Sequence, residues 1–445
     1  MPGGTFAIKD QGMTVFTVAT AALLPVYVWR IQDVFPILAT LQVPSLVSVF
    51  ALAVFLFGGH VGTAIPRMRT RALQAAAFMV VWMVVSVPTS VYPGLSFSFI
   101  VSDHIKTFLM MLMVLASIRN AFDAERLLLT NIVGALIYCI NILTSYSVGR
   151  DGRLNVELYY DANDISMMVV CTVPVAVYFL RSQAKAYQRI IALGASGIFV
   201  LTIIQTGSRG GFLGLVAVGG FLLFGFRAIP VRTRFTSLAI LGVMMLVLAG
   251  PQFWELMGTM LHPQDDYNLD SEEGRIQVWT RGMGYVASRP IAGVGVNAYR
   301  VAEGTISELA PRQAEGSGVR WGTAHNSFVQ IAAELGIPGV VAFVIFLNAM
   351  FTAGWKLARA DPEGAISTRE RALAEALVGS LIGYVVAGSF LSQAYSAYLY
   401  ATCGVLMGLV AASGGGSATN GRTRSAVRPS PPRVRVSQHH PQIPR

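Results

Sequence analysis

The sequence predicts an all-α integral membrane protein with about 12 transmembrane helices and one large external helical insert. Of its 445 residues, 54% are hydrophobic and only 13% are charged, whereas soluble globular proteins carry about 25% charged residues. The mean hydropathy is +0.57. Apolar runs recur along the whole chain, and each approaches the length needed to cross a hydrocarbon core of about 30 Å. These values exclude a soluble domain.

The apolar runs form two groups of predicted helices separated by the insert. Residues 1–250 hold the first nine, residues 251–338 form the external segment, and residues 339–412 hold the last three. The runs cover residues 14–29, 36–57, 73–91, 104–118, 127–146, 162–180, 190–205, 211–226, 235–250, 339–355, 373–391 and 395–412. The first run lacks a basic region before it and a cleavage site after it, so we expect a membrane helix rather than a signal peptide.

Positive charge predicts the orientation of the bundle. With the N-terminus inside, most of the 33 Lys and Arg residues fall on the cytoplasmic side, and the short external loops hold only Arg30, Arg150, Arg153 and Arg209. Lys and Arg are retained on the cytoplasmic side during insertion, so we expect both termini in the cytoplasm. The net charge of +10 is then mainly an orientation signal, and we expect no nucleic-acid partner.

The turn at residues 206–211 places an arginine at the outer boundary of the membrane. An arginine there requires water, a partner or a ligand. Ser208 and Arg209 precede a helix that runs inward, so its free N–H groups and the guanidinium together suit an anion. A simple turn with an arginine reaching toward water explains the pattern equally well.

Within the insert, an amphipathic helix is predicted to begin near Arg275. Asp270 and Glu273 resemble a capping pair, and apolar residues follow at helical spacing, namely Ile276, Trp279, Met283 and Val286. This face could lie on the membrane surface. The helix dipole disfavours a cation in the first turn, which indicates an anionic partner for Arg275; pairing with Glu272 or Glu273 is at least as good an explanation.

His325 lies where the insert ends and a second short helix is predicted to begin. Ser327 and Gln330 form a possible capping box, and Gly336 with Pro338 should stop the helix. His325 would then lie near an electropositive helix start, where it could act as a general base or as an orienting hydrogen-bond donor. A structural histidine is the alternative.

Residues 159–164 open the sixth predicted membrane helix from outside. Asp161 and Asp164 are first of all cap residues favoured by the helix dipole, and contact with a sugar hydroxyl is the second interpretation.

No cofactor or metal ion is expected. Residues 290–295 are not preceded by a strand, as a dinucleotide-binding loop would be, and the acidic run at 265–273 lacks the pattern of a calcium loop. Cys139, Cys171 and Cys403 lie in separate apolar runs and should be small buried side chains. Residues 413–445 form a basic tail without Asp or Glu, which we expect to be disordered and to anchor the topology or lie against anionic lipid.

The order of these motifs resembles the O-antigen ligase family, whose superfamily includes O-antigen polymerases and bacterial protein O-oligosaccharyltransferases. The resemblance covers about residues 100–410 and rests on five motifs: Asp-Ala-Asn-Asp at 161–164, Ser-Arg-Gly at 208–210, Gly-Arg with Trp at 274–279, Pro-Ile-Ala-Gly-Val-Gly at 290–295, and His-Asn followed by Glu-Leu-Gly-Ile-Pro-Gly at 325–339. It implies a GT-C-like bundle in the bacterial inner membrane with a periplasmic or outer active site.

The resemblance also implies a reaction and its residues. The enzyme would transfer a glycan from undecaprenyl diphosphate to the hydroxyl of a lipid, glycan or protein acceptor, without metal or nucleotide sugar. By position, the catalytic residues would be Arg209, Arg275 and His325. Both arginines would hold the diphosphate, and His325 would orient or deprotonate the acceptor. Five further residues are expected to contact substrate, namely Tyr160, Asp161, Asn163, Ser208 and Asn326.

Several alternatives remain open on the sequence. No segment distinguishes a lipid, glycan or protein acceptor, so ligase, polymerase and protein glycosyltransferase all fit. A transporter for a lipid-linked sugar is a second class, although its site would lie near the membrane midplane, where Lys106 and Glu375 are the nearest ionisable candidates. A non-catalytic scaffold is a weaker third class.

Overall fold

A computed structural model describes residues 12–67, 69–149, 152–156, 159–181, 184–261, 271, 274–314 and 321–424. Within these ranges the chain is almost entirely helical, and the only strand-like feature is an isolated bridge between Val148 and Leu154. This confirms the all-α integral membrane class. The predicted capping pair Asp270 and Glu273 lies outside the described residues.

The helices are numbered here in chain order. The first half of the chain contains α1 (Val15–Leu23), α2 (Ile31–Val34), α3 (Pro36–Thr40), α4 (Val43–Phe57), α5 (Val61–Arg67), α6 (Arg71–Ser86), α7 (Pro93–Phe99), α8 (Ile105–Ser117), α9 (Ala121–Ser145), α10 (Ala162–Phe179) and α11 (Ala186–Thr206). The second half contains α12 (Arg209–Phe224), α13 (Val231–Leu248), α14 (Pro251–Gly258), α15 (Arg275–Ser288), α16 (Tyr299–Thr305), α17 (Ala310–Ala314), α18 (Ser327–Ala358), α19 (Thr368–Gly388) and α20 (Ala397–Arg424).

All twelve predicted apolar runs are helical, but their lengths differ. Within the described residues, nine helical stretches are long and apolar enough to cross a membrane, and the α4–α5 pair, bent by 80°, would make a tenth. Val15–Val28 and Arg209–Phe224 are shorter apolar helices. Length and composition therefore support nine or ten spans, and twelve stays a prediction.

Some predicted boundaries move. The run predicted at 373–391 ends as a helix at Gly388, so residues 389–396 form a loop. The last helix continues to Arg424 instead of ending at 412. The hydroxyl of Ser413 donates to the Glu370 carboxylate and to the Leu409 carbonyl, which keeps this helix packed beyond the predicted end.

Small residues bring the central helices close together. A Cβ atom at Gly383 of α19 would lie 3.0 Å from a methyl of Val218 on α12, and one at Gly379 would lie 2.9 Å from the Cβ of Pro174 on α10. Helices in lipid associate through such close packing because no hydrophobic force acts between them there. Gly379 and Gly383 therefore let α19 pack closely against α10 and α12.

α18 is two helical pieces joined at Gly336, whose backbone is non-helical at φ 69° and ψ −168°. The kink frees carbonyl groups, because Pro338 has no N–H to donate. Segment 290–295 supplies two replacements: the N–H of Val294 donates to the Ala333 carbonyl at 2.8 Å and that of Gly295 to the Glu334 carbonyl at 2.9 Å. The indole of Trp82 donates to the Leu335 carbonyl at 2.9 Å. The glycine-rich segment therefore braces the kink, and the break predicted at Gly336 is confirmed.

The insert has its own small core. Val278 and Tyr285 of α15 pack with residues of α16 and α18, and the buried Glu303 carboxylate accepts from Arg281 at 2.6 Å and from the Tyr285 hydroxyl at 2.7 Å. Of the apolar face predicted to lie on the membrane surface, Ile276 and Met283 are 41% and 53% exposed, whereas Trp279 and Val286 are half-buried. The insert is thus docked on the bundle by the other face of α15.

Candidate functional site

The 389–396 loop between α19 and α20 lies beside Arg275, His325 and Gly210, the residue that follows Arg209. It was expected to belong to two membrane helices, and as a loop it presents Phe390 and Ser392 to groups from α12, α15 and the start of α18. The loop therefore brings together segments that are far apart in the sequence.

Arg209 is the first residue of α12. Ser208 caps this helix by accepting a hydrogen bond from the Gly211 N–H at 3.2 Å. The half-buried Arg209 side chain donates to the hydroxyl of Thr259, just past α14, at 2.9 Å. Next to it, a Cβ at Gly210 would lie 2.9 Å from the Cβ of Phe390. The absence of a side chain at Gly210 lets the 389–396 loop approach the start of α12.

Arg275 reaches the same loop from the insert. It is the first residue of α15, and its guanidinium carbon lies 5.9 Å from the centre of the Phe390 ring. Trp279, one turn later, lies 6.5 Å from that ring, and its indole N–H donates to the Ala324 carbonyl at 2.9 Å. Phe390 therefore lies between Arg275, which is near its ring, and the start of α12, which is near its Cβ.

His325 is held against the loop by its backbone. Its N–H donates to the Ser392 hydroxyl at 2.8 Å, and its φ of 45° lies in the left-handed region that few non-glycine residues adopt. The ring Nε2 lies 3.2 Å from the hydroxyl of Thr323. Such backbone strain is found most often at functional sites, and here it fixes the direction in which the imidazole leaves the chain.

The predicted capping box of Ser327 and Gln330 is wrong. Asn326 caps α18 instead, with its side-chain oxygen accepting from the N–H groups of Phe328 and Val329. Ser327 donates to the Leu391 carbonyl at 2.8 Å, and Gln330 accepts from the Ala394 N–H. The Asn326 oxygen already accepts the hydrogen bonds from the first turn of α18. The side chains of Ser327 and Gln330 therefore bond to the 389–396 loop instead.

The predicted substrate-binding residues have structural bonds of their own. Asp161 caps α10 in a capping box with Asp164, as its first interpretation predicted. Asn163 accepts from Arg153 at 2.7 Å, and the hydroxyl of buried Tyr160 donates to the Val28 carbonyl at 3.0 Å. Ser208 is 1% exposed. Direct substrate contact by these groups stays a prediction. Such contact would use only the hydrogen-bond donors and acceptors that are not already engaged within the protein.

Helix N-termini converge around the loop. The start of α12 lies against the start of α10, since a Cβ at Gly211 would overlap the Ser166 hydroxyl. α15 and α18 also begin beside the loop. The free N–H groups and aligned peptide dipoles of a helix make its N-terminus positive. Together with the two arginines, the starts of α12, α15 and α18 favour a bound anion, whereas the start of α10 already carries the carboxylates of Asp161 and Asp164.

A cavity of about 560 Å³, lined by both polar and apolar side chains, adjoins the loop on its other side. Ser392, Gln393, Tyr395 and Ser396 form one wall, and the opposite walls come from the segments around Arg30, Asp103 and Tyr159. Burial raises the pKa of the Tyr395 phenol, and the negative Glu334 carboxylate, which accepts a hydrogen bond from the phenol at 2.8 Å, raises the pKa further. Tyr395 therefore stays a hydrogen-bond donor.

Several buried polar atoms around this cavity have no hydrogen-bond partner within the described residues. They are both ring nitrogens of His104, the side-chain oxygen of Gln32 and the hydroxyl of Ser396. Buried polar groups without partners are rare, so a cavity lined by several of them suits a polar, hydroxyl-rich molecule. His104 was not predicted, because it lies in the long helical stretch from Pro93 to Ser117 and reads as a core residue.

The missed contributors share one signal. Phe390, Ser392 and Gln393 lie in the run Ser-Phe-Leu-Ser-Gln at 389–393, where polar residues interrupt two apolar stretches. This run could have been read as a loop on the same face as His325. Thr259 and Arg153 carry no comparable signal, because their roles depend on contacts made only in the folded chain.

The fold and the site define a multi-pass membrane protein whose cationic polar site gathers around one interhelical loop. The family model described as O-antigen ligase matches residues 166–344, a segment that contains Arg209, Arg275 and His325. This match confirms the resemblance to the O-antigen ligase family over that part of the chain. An uncharacterized protein of Haemophilus influenzae is 20% identical over 220 residues, which are 47% of this chain and 54% of the relative. The chain thus spans about half the length of this relative.

Proposed function

We propose that the protein is an O-antigen ligase-like glycosyltransferase that moves a glycan from undecaprenyl diphosphate to an acceptor hydroxyl at the outer face of the bacterial inner membrane. The observation that carries the proposal is the convergence of two arginines, a strained histidine and several helix N-termini around the 389–396 loop. The family supports this superfamily of reactions, and the arrangement of charges supports a diphosphate donor.

The two arginines would act on the donor. Arg209 and Arg275 carry permanent positive charge and several N–H donors, which suit phosphate oxygens. In the transfer, the acceptor oxygen forms a bond to the anomeric carbon. The bond from that carbon to the diphosphate oxygen breaks, and its electron pair stays on the diphosphate. Cations placed where this charge develops stabilise the transition state more than the ground state.

His325 would act on the acceptor. The attacking hydroxyl must lose its proton as the new bond forms, and a neutral imidazole nitrogen can accept it. If the proton passes directly to the diphosphate instead, the imidazole would orient the hydroxyl by a hydrogen bond. The fixed backbone at His325 serves both roles, because each requires the ring to approach from one direction.

The neighbouring cavity would hold sugar. Its walls combine hydroxyl, amide and aromatic groups, the types that bind hydroxyl-rich ligands, and Ser392 lies both on its wall and against His325. A glycan seated there would extend from the reacting centre without crossing the membrane.

The test is transfer by the purified protein in proteoliposomes, with an undecaprenyl-diphosphate-linked oligosaccharide as donor. The expected result is a covalent product on an acceptor. Movement of the donor across the bilayer without a new bond would instead establish a transporter. Glu375, one of the two candidates for a transport site, accepts from the N–H groups of Arg227 and Ala228 and pairs with Arg359 at 3.2 Å, so it is already bonded to an interhelical turn.

The acceptor class would follow from deleting the gene and analysing surface glycans. Loss of long polymer with single repeat units intact would indicate a polymerase. Accumulation of lipid-linked polymer beside an unmodified lipid acceptor would indicate a ligase, and an unmodified protein acceptor would indicate a protein O-oligosaccharyltransferase.

A further inference from the structure

A second cleft lies at the end of the bundle opposite the 389–396 loop. It has a volume of about 1150 Å³ and is formed by the C-terminal parts of α18 and α20 with the segment leading into α6. At about 1.5 Å per residue, roughly 30 Å of the second piece of α18 separates the kink at Gly336 from Lys356 at this cleft. We call it the basic cleft.

One end of the basic cleft is cationic. Arg67, Arg71 and Lys356 line it, and no Asp or Glu is among its described lining residues. Arg67 is held in place, since it donates to the Leu115 carbonyl at 2.6 Å. Arg71 and Lys356 are exposed and make no hydrogen bond or ion pair within the described part of the chain. Like charges gathered without a counter-charge repel one another, and an anion between them removes that repulsion.

The rest of the basic cleft is mainly apolar and has a defined length; its polar lining residues are Thr70, Asn348, Thr352 and Ser413. Val344, Ile345, Ala349 and Ala353 of α18 face Met407 and Val410 of α20. From Val344 to Lys356 the helix rises about 18 Å, close to half of a hydrocarbon core of about 30 Å. A smaller cleft of about 470 Å³ continues past Ile345 toward Pro338. The apolar trough beside the cations is therefore about one leaflet deep.

We propose that the basic cleft binds one anionic glycerophospholipid of the adjacent leaflet, with its phosphate at Arg71 and Lys356 and an acyl chain along α18 and α20. A soluble phosphate would leave the apolar trough uncovered. The chain beyond α20 is an unsuitable occupant, because residues 425–445 contain four arginines and no acidic residue. Anionic headgroups between membrane helices commonly meet such basic pockets. This inference does not depend on glycan transfer.

The test is lipid binding by the delipidated full-length protein in detergent, followed by native mass spectrometry during titration with dioleoylphosphatidylglycerol or dioleoylphosphatidylcholine. The wild type should bind the first phosphatidylglycerol clearly more tightly than phosphatidylcholine. The R71Q/K356Q double variant should lose roughly fivefold in phosphatidylglycerol affinity for each charge removed and keep its affinity for phosphatidylcholine.

Two further variants distinguish lipid binding in the basic cleft from a general effect of positive charge on the protein. R227Q/R232Q removes two exposed arginines elsewhere on the chain and should bind like the wild type. Ala353→Trp should weaken phosphatidylglycerol binding while all three cations remain, because the indole fills the trough. The proposal would be overturned by equal wild-type affinities for the two lipids or by an unchanged phosphatidylglycerol affinity in R71Q/K356Q. It would also be overturned by an equal loss of affinity in R227Q/R232Q, or by displacement of the lipid by millimolar inorganic phosphate.

Discussion

At the level of single residues, the unusual backbone conformation of His325 allows a substitution to test its chemical role apart from its structural one. Its φ of 45° is tolerated by Asn and Gly far better than by most residues. An alanine substitution would therefore remove the imidazole and strain the turn at the same time. Asparagine keeps the turn and removes the group that exchanges a proton.

We expect His325→Asn to reduce the rate of glycan transfer by roughly 10²- to 10⁴-fold, the range for loss of a general base. The melting temperature should stay near that of the wild type. Single-turnover transfer in proteoliposomes measures the first effect and thermal unfolding in detergent the second. Full activity in this variant would remove His325 from the mechanism.

Each arginine should be irreplaceable by lysine, because lysine keeps the charge and loses the planar set of N–H donors. We expect Arg209→Lys and Arg275→Lys to lower the maximal transfer rate, and the corresponding alanine variants to lower it by roughly 10²- to 10³-fold. Transfer rates at saturating donor test this. Arg300→Lys, at an exposed site on the insert, is the matched control and should transfer normally; equal losses in all three lysine variants would contradict the proposed role.

At the scale of elements, the kink in α18 depends on glycine. Gly336 adopts a conformation that essentially only glycine occupies, and a Cβ there would lie 2.3 Å from the Ile291 carbonyl oxygen. Segment 290–295 and the kink therefore have to form together, because each supplies hydrogen-bond partners that the other lacks.

We expect Gly336→Ala to destabilise the protein by about 1–3 kcal/mol from the backbone conformation alone, seen as a lower melting temperature in detergent. Gly284→Ala is the control, since it lies on the exposed side of α15 with no heavy atom within 4 Å of an added Cβ. Glycine inside a helix is less stable than alanine by roughly 0.5–1 kcal/mol, so this control should melt no lower than the wild type. Equal melting of the two variants would argue against the bracing of the kink.

The elements themselves were largely predictable, and their partners were not. Hydropathy located every long helix, and turn residues located Gly336, because both signals are local. The helix end at Gly388 was misplaced, since Phe390 and Leu391 are apolar and the contacts that pull them into a loop come from residues more than 60 positions away, at Ser327 and His325. Likewise, Ser327 and Gln330 matched a capping box, and only the folded chain shows them bonded to the loop.

At the scale of the whole molecule, the orientation stays a prediction that charge supports. The insert should face outward, and the turn between α18 and α19 should face the cytoplasm. Ser288 and Glu363 are exposed positions on these two segments, and the native cysteines are buried. The chain therefore suits a labelling experiment with little background.

We expect a membrane-impermeant maleimide to label a Ser288→Cys variant in spheroplasts, and a Glu363→Cys variant only after the membrane is permeabilised. The wild type, which keeps Cys139, Cys171 and Cys403, should stay unlabelled in both conditions. The reverse pattern would invert the bundle and place the proposed site on the cytoplasmic side of the membrane.

The contact between segment 290–295 and the kink consists mainly of main-chain bonds, and this has a consequence for how the region tolerates change. Ile291 is 66% exposed, and it meets α18 through its carbonyl, so randomising its side chain should return many folded clones. When the same randomisation is applied to Gly293, Gly295 and Gly336, nearly all folded clones should keep glycine. An added Cβ at each of these positions would lie within 2.5 Å of another atom. The structure of this junction therefore depends on glycines without side chains and on main-chain hydrogen bonds.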